Sequence, residues 1–162
     1  MKRNLLLAAF ALMAASVPAQ ASNVQFNKGP ICSDGGLVAT CSAKLTGLGN
    51  GDVVIDLSVL TEPVAVETLC KNPQGKASPG QNPADIVDVG GVVTIPASKI
   101  KNGSLTFSLS TEAPPAPSWS DAGCPNSKWK ASISDVIFSG ETLRLTVFQN
   151  GVQAASADYV VP

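Results

Sequence analysis

The side chains that could carry chemistry in this chain are its cysteines and carboxylates, because none of its 162 residues is a histidine. Without histidine, a Ser-His-Asp or Cys-His nucleophilic site is excluded, and so is a zinc hydrolase with histidine ligands. The sequence also contains no phosphate-binding loop and no dinucleotide-binding fingerprint. We therefore expect no catalytic residue, no cofactor and no metal site, and we predict that the protein is not an enzyme.

Two pairs of carboxylates are the remaining candidates for acid–base chemistry or calcium binding. Asp52 and Asp56 form one pair, and Asp85 and Asp88 form the other. Such pairs can act as the acid and base of a glycosidase or supply oxygen ligands for calcium. Acidic residues at strand ends and on outer faces are more often solvated surface groups, and that is the interpretation we favour.

The cysteines point to disulfide bonds rather than to metal binding. An even number of cysteines in an exported chain indicates disulfides, and no C-x-x-C pair favours a metal. Four cysteines allow three pairings. Cys70 and Cys124 each lie near Asn and Pro in the irregular segments 70–83 and 111–127, so a bond between them would tie the two segments together. The pairings that we favour are Cys70–Cys124 and Cys32–Cys41.

The first 21 residues have the pattern of a signal peptide. Lys2 and Arg3 precede an uncharged apolar stretch, Leu5 to Val17, and Ala19-Gln20-Ala21 is an A-x-A cleavage motif. The apolar stretch is shorter than the ~20 residues of a membrane-spanning helix, and no later segment is apolar for long enough. We expect one domain over residues 22–162 and a secreted or periplasmic protein with no membrane span.

The predicted mature chain is weakly acidic. Lys2 and Arg3 are two of the 11 basic residues, so residues 22–162 keep 9 basic against 12 acidic side chains, a net charge of −3. Nucleic-acid binding requires a basic face, and an anionic membrane surface also attracts basic segments. We therefore expect no nucleic-acid partner and no membrane-surface partner.

Apolar and polar residues alternate with period two along much of the chain, which is typical of half-buried β-strands. The runs are 37–45, 53–60, 64–69, 92–95, 105–109, 129–133, 142–147 and 152–161. After Ile133 the apolar residues no longer keep the same alternation, which is the change that a β-bulge would cause. These eight runs predict an all-β fold, an immunoglobulin-like antiparallel β-sandwich of about seven or eight strands.

Turn residues separate these runs. Asn150-Gly151 lies between two of them and is a type I′ hairpin signal. The segment from Pro96 to Lys101 predicts one helical turn, with Ile100 packed inward.

The segments 70–83 and 111–127 supply the candidate ligand-binding residues. Long loops in compact domains are usually functional or disordered. Trp119 could stack on a sugar or anchor a partner, but we favour a lid over the end of the core, and we expect Trp129 in the core. The amide side chains could bind a polyol. In Asn-Pro turns, however, such amides usually hydrogen-bond backbone groups of their own turn, and that is the role we favour. These amide residues are Asn72, Gln81, Asn82 and Asn126.

Several motifs between Leu37 and Gly151 resemble a family of uncharacterised secreted proteins. They are GLGNGD, CKNPQG followed by PGQNP, IPASKIKNGSLTF, AGCPNSKW and VFQNG. The resemblance implies export, a single domain and a Cys70–Cys124 disulfide. The family has no established activity, so no catalytic residue is carried over.

The two ends of the chain are similar to those of chaperone–usher fimbrial subunits, through VQFNKGPIC and ADYVVP. Those subunits are incomplete immunoglobulin folds that borrow a strand from the next subunit, and their cysteines lie farther apart than Cys32 and Cys41.

The sequence therefore predicts an exported, non-catalytic β-sandwich protein that is a binding or surface/structural module and uses the segments 70–83 and 111–127. Its partner would be an extracellular glycan or protein. A fimbrial subunit and an inhibitor of extracellular hydrolases are the alternatives.

Overall fold

The computed structural model describes residues 23–82, 84–86 and 88–162, and the predicted signal peptide lies outside the described residues. The strands are β1 Gln25–Asp34, β2 Ala39–Thr46, β3 Val53–Val59, β4 Val64–Lys71, β5 Ala77–Pro79, β6 Ala84–Ile86, β7 Gly90–Ile95, β8 Ser104–Ser110, β9 Lys130–Val136, β10 Thr142–Gln149 and β11 Val152–Val160. A single 3-10 turn, Ala97–Lys99, precedes β8. In the described part of the chain, no helix is long and apolar enough to cross a membrane.

All strand pairs are antiparallel, and they form three sheets. The first sheet has the order β1-β2-β8 and the second β11-β10-β3-β7. In the third sheet β4 lies in the centre, because β9 pairs with one edge while β5 and β6 share the other. The predicted all-β antiparallel sandwich is confirmed, with eleven strands in the described residues rather than seven or eight.

The main core lies between the first two sheets and follows the predicted alternation. Leu45 on β2 and Ile55 on β3 are completely buried, and Leu143 on β10 is 1% exposed. Each fully buried side chain of this size contributes about 1.5–3 kcal/mol through removal of apolar surface from water. Leu37 was predicted on the same face as β2, but it is exposed because it lies in the β1–β2 turn, before β2 begins.

Three strands were not predicted from the alternation. In β1, the register moves from Asn27 opposite Lys44 to Ile31 opposite Ser42, so three residues of β1 face one of β2. This bulge interrupts the period-two pattern and hides the strand. The other two strands, β5 and β6, have three residues each, too few to show a period.

The segment 70–83 is therefore less irregular than predicted. Cys70 and Lys71 complete β4, and Ala77–Pro79 form β5. The turn between them is closed by the Asn72 N–H, which donates to the Lys76 carbonyl oxygen at 2.9 Å. Proline did not prevent pairing here because Pro79 lies at the end of a short edge strand, where a missing donor is tolerated.

The other local predictions are confirmed. Asn150 (φ 53°) and Gly151 (φ 77°) both have positive φ, as a type I′ hairpin requires. Ile100 packs against the main core after the 3-10 turn. In the β4–β9 register, Thr68 faces Ile133 and Glu67 faces Asp135, so Ser134 is the extra residue of the predicted bulge.

The Arg144–Asp158 ion pair joins β10 to β11 across the outer face. Arg144 donates to Asp158 from Nε at 2.7 Å and from Nη2 at 2.9 Å. These hydrogen bonds lower the pKa of the Asp158 carboxyl group. A lowered pKa stabilises the fold above the unfolded-state pKa of about 4, and this contribution is lost as the pH falls through the folded-state value.

The β4–β9 pair within the third sheet is here called the ribbon, and its base is part of the main core. The Val136 N–H donates to the Gly36 carbonyl at 3.0 Å, and the Ile137 N–H donates to the Ala65 carbonyl at 2.9 Å. Val136 and Phe138 are 0% exposed. The base of the ribbon is therefore fixed by both backbone bonds and apolar packing.

We predict that Phe138→Ala lowers the free energy of unfolding by about 3–5 kcal/mol, because it leaves a cavity where the ribbon joins the main core. The neighbouring Ile137 is 40% exposed, so Ile137→Ala is the matched control and should cost less than about 1 kcal/mol. Denaturant titration of both variants measures the difference. Equal losses would mean that Phe138 does not anchor the ribbon.

Candidate functional site

The candidate site lies at the end of the ribbon that is remote from the main core. Cys70 faces Ala131 across the two strands, and Lys71 faces Lys130. Directly opposite residues lie on the same side of a sheet. One side of the ribbon end therefore carries Cys70, and the other side carries two lysines.

The inner side of the ribbon end has a small core of its own. Cys70 and Cys124 form a disulfide, and Ala122 beside them is 0% exposed. Trp129 and Ala131 pack against this cluster and remain half-buried. Trp129 therefore belongs to this small core rather than to the main one.

Both favoured disulfides are present. Cys32 and Cys41 are direct register partners on β1 and β2, and both are buried. The reason given for the other pair is partly wrong, because Cys70 takes part in the β4 ladder instead of lying in an irregular segment. Only Cys124 lies outside regular structure.

Backbone hydrogen bonds join the two segments tied by this disulfide. The Ala122 carbonyl accepts from the Gln81 N–H at 3.0 Å and from the Asn82 N–H at 3.5 Å. Asn82 Nδ2 also donates to the Ser120 carbonyl at 3.1 Å. The described residues of the segments 70–83 and 111–127 thus form one continuous surface, here called the two-loop surface.

A compact turn presents Trp119 on this surface. The Ala122 N–H donates to the Ser118 carbonyl at 3.1 Å, and the Cys124 N–H donates to the Trp119 carbonyl at 2.8 Å. Ser118 Oγ also donates to Asp121 Oδ2 at 2.6 Å. Trp119 is 40% exposed, so it is not the lid over the core that we favoured from the sequence.

Most of the candidate amides are engaged within the protein. Asn72 Oδ1 accepts from the Lys76 N–H at 2.8 Å, and Asn126 Oδ1 accepts from the Lys128 N–H at 3.0 Å. These contacts confirm the prediction that the amides hydrogen-bond the backbone of their own turns. Asn82 bridges the two segments, while Gln81 is exposed.

The candidate residues do not converge on one cavity. Gln81 and Asn82 line a cleft of about 440 Å³ beside β4 and Ser134. Asn72 lines a different cleft of about 530 Å³ at the ribbon end. Trp119 lines neither of these two clefts, so it would contact a ligand separately.

Sequence reasoning missed the lysines of the 530 Å³ cleft. Lys71, Lys128 and Lys130 all line it, and all three are exposed. Lys130 begins β9, whereas Lys128 lies in the turn before it, so strand alternation gave no signal for the pair. Their meeting with Lys71 depends on the β4–β9 register, which the sequence does not reveal.

The two carboxylate pairs have different surroundings. Asp52 Oδ1 accepts from the Ala97 N–H at 2.9 Å and so holds the 3-10 turn. Asp56 and Asp88 line a cleft of about 510 Å³, and Asp85 and Asp88 line one of about 370 Å³. Within residues 23–82, 84–86 and 88–162, no three His, Cys, Asp or Glu side chains form a group that could hold a metal ion.

Comparison with known proteins adds no assignment to this geometry. No protein-family model matches the chain, and no match was found among curated proteins.

We predict that replacing both Cys70 and Cys124 with alanine lowers the free energy of unfolding by about 2–5 kcal/mol. The cysteines are 54 residues apart, against 9 for Cys32 and Cys41. Chain entropy therefore assigns about 4 kcal/mol to the longer loop and about 2.6 kcal/mol to the shorter one. Hydrogen exchange should accelerate first in residues 71–82 and 118–123. A Cys41–Cys124 peptide in a non-reducing digest would contradict the pairing.

We also predict that Gly123→Ala destabilises the protein more than Gly140→Ala, by about 1–3 kcal/mol. Both glycines have positive φ, 68° and 83°. A Cβ on Gly123 would lie 2.8 Å from Asn82 N, whereas one on Gly140 would meet nothing within 4 Å. The difference between the two variants in thermal or denaturant unfolding isolates the contact between the two segments. Equal losses would show that only backbone conformation matters.

Proposed function

We propose that the protein is an exported, non-catalytic module that binds an extracellular glycan or protein through its two-loop surface. The observation that carries the proposal is the exposed Trp119, which a hydrogen-bonded turn and the Cys70–Cys124 disulfide hold on that surface. Tryptophan offers a large apolar surface with a polar N–H, and it is enriched among the residues that dominate binding energy at interfaces. A fixed aromatic residue also loses little conformational entropy when it binds.

Export is supported by the two disulfides, since such bonds persist in oxidising compartments. All four cysteines are paired, which leaves no thiol nucleophile. The signal-peptide pattern of residues 1–21 and the resemblance to uncharacterised secreted proteins are consistent with the same location.

We infer that the scaffold is immunoglobulin-like with an inserted ribbon. The order β1-β2-β8 corresponds to A-B-E of the immunoglobulin sandwich, and β11-β10-β3 corresponds to G-F-C. Strand β7 takes a C′-like position beside β3. The ribbon strands are inserted before β7 and before β10, which places the two-loop surface outside the standard seven strands.

The fimbrial alternative is less well supported. A fimbrial subunit leaves its N-terminal segment free and its own sandwich short of a strand. Here β1 pairs with β2, and β11 pairs with β10 along Thr142–Gln149. The strand order of the two main sheets is therefore satisfied by this chain's own described strands. No specific contact favours a hydrolase inhibitor over a glycan-binding module.

The test is a binding screen on immobilised neutral and acidic glycans with wild type, Trp119→Ala and the control Ile31→Ala. Ile31 is an exposed apolar residue on β1, outside the two segments that form the two-loop surface. We expect Trp119→Ala to weaken binding at least about tenfold, equivalent to about 1.4 kcal/mol, and the control to leave it unchanged. Hydrolysis of a glycan that is abolished by Asp85→Asn or Asp88→Asn would overturn the proposal.

A further inference from the structure

We propose that the cleft where Lys71, Lys128 and Lys130 meet at the ribbon end binds the anionic groups of an acidic polysaccharide. These groups would be sulfates, phosphates or carboxylates. The inference rests on the proposed function, since it names a ligand class for the ribbon end, where residues 71–75 of the two-loop surface meet Lys128 and Lys130.

The pairing of Lys71 with Lys130 is the first observation. The two residues are direct register partners in the antiparallel ribbon. Directly opposite Cβ atoms lie about 4.5–5.5 Å apart, and like charges at that spacing destabilise a sheet. A bound anion would replace this repulsion with two attractions, so the pair costs stability in the free protein and contributes affinity in the complex.

The backbone that carries the lysines is fixed from the other side. Cys70, which precedes Lys71, is held in the disulfide to Cys124. Trp129, which lies between Lys128 and Lys130, packs on the small core. Successive residues of a strand point to opposite sides, so the inward Cys70 and Ala131 direct Lys71 and Lys130 outward. Lys128 lines the same cleft from the turn that precedes β9. The cleft is therefore preorganised at its base, which reduces the entropic cost of binding.

These charges are not neutralised within the protein. No carboxylate is among the described residues that line the cleft. The one salt bridge in the described residues is Arg144–Asp158, which involves none of the three lysines. On β4 the nearest acid to Lys71 is Glu67, four residues away, which corresponds to about 13 Å along a strand. That distance exceeds the Debye length of about 8 Å at physiological ionic strength.

The other lining residues favour a polysaccharide. Asn72 and Gln74 line the cleft with the lysines, and their amide groups can hydrogen-bond sugar hydroxyls. Lysine ammonium groups act as compact point charges that suit sulfate, phosphate and carboxylate. None of the described lining residues is aromatic, so the cleft lacks the stacking platforms that single-stranded nucleic acids use.

The experiment measures the affinity of the intact, oxidised protein for heparin, a sulfated polysaccharide, and for a polyuronate. Lys71→Gln/Lys128→Gln/Lys130→Gln is compared with the control Lys44→Gln/Lys99→Gln/Lys101→Gln, which removes the same charge from exposed lysines elsewhere. We expect Kd to rise at least about tenfold in the first variant and less than about twofold in the control. The slope of log K against log salt should flatten by about 2–3 in the first variant alone.

Thermal unfolding supplies a second readout that excludes misfolding. Because the first variant removes the like-charge pair, its Tm should equal or exceed that of wild type, by about 1–2 °C. A lower Tm together with weaker heparin binding would contradict the repulsion and overturn the proposal.

Four other results would also overturn it. They are unchanged affinity in the first variant, an equal loss in the control, tighter binding to single-stranded DNA than to the polysaccharides at equal charge, and salt-sensitive self-association abolished by the same lysine changes. If acidic polysaccharides do not bind while binding of a neutral glycan still depends on Trp119, only this inference is overturned. If Trp119→Ala has no effect on any glycan, the proposed function fails.

Discussion

The antiparallel pairing of β4 with β9 is the constraint on which the candidate site depends. It brings together strands that lie about 60 residues apart in sequence, and it places Val136 in the main core at one end and Cys70 in the small core at the other. The Ser134 bulge adjusts the phase between these ends, so that both can bury their apolar residues. A shift of β4 by one residue would turn Lys71 inward and Cys70 outward while Lys130 kept its place, because side chains alternate along a strand.

The sandwich could be predicted from the sequence because burial of one strand face produces a local alternation of apolar and polar residues. Eight strands show this alternation, including β3 and β10, each of which has four buried side chains. Strand β1 does not, since its bulge at residues 28–30 breaks the period. The disulfide partners could be inferred because their neighbouring Asn and Pro residues marked two exceptional segments. The lysine cleft could not, because no local pattern states which residue of β9 faces Lys71.

The polar residues of the two-loop surface show how an irregular segment distributes its hydrogen-bonding groups. Asn72 and Asn126 close their own turns, and Asn82 joins one segment to the other. Buried or partly buried backbone groups require partners, so these amides serve the fold first. Amide content alone is therefore a poor guide to binding. Exposed side chains that the fold does not need, such as Trp119 and the cleft lysines, are better candidates.

The positions of the cysteines also bear on how the chain acquires its bonds. Cys32 and Cys41 face each other across one hairpin, and their loop is short. Bringing them together costs about 1.6 kcal/mol less entropy than closing the 54-residue loop, and hairpins form within microseconds. Oxidation of the hairpin pair therefore precedes the long-range bond. Once that pair is oxidised, Cys70 and Cys124 are the two remaining thiols. The three pairings allowed by four thiols then reduce to one. We therefore expect oxidative folding to give few scrambled isomers and to depend little on a disulfide isomerase.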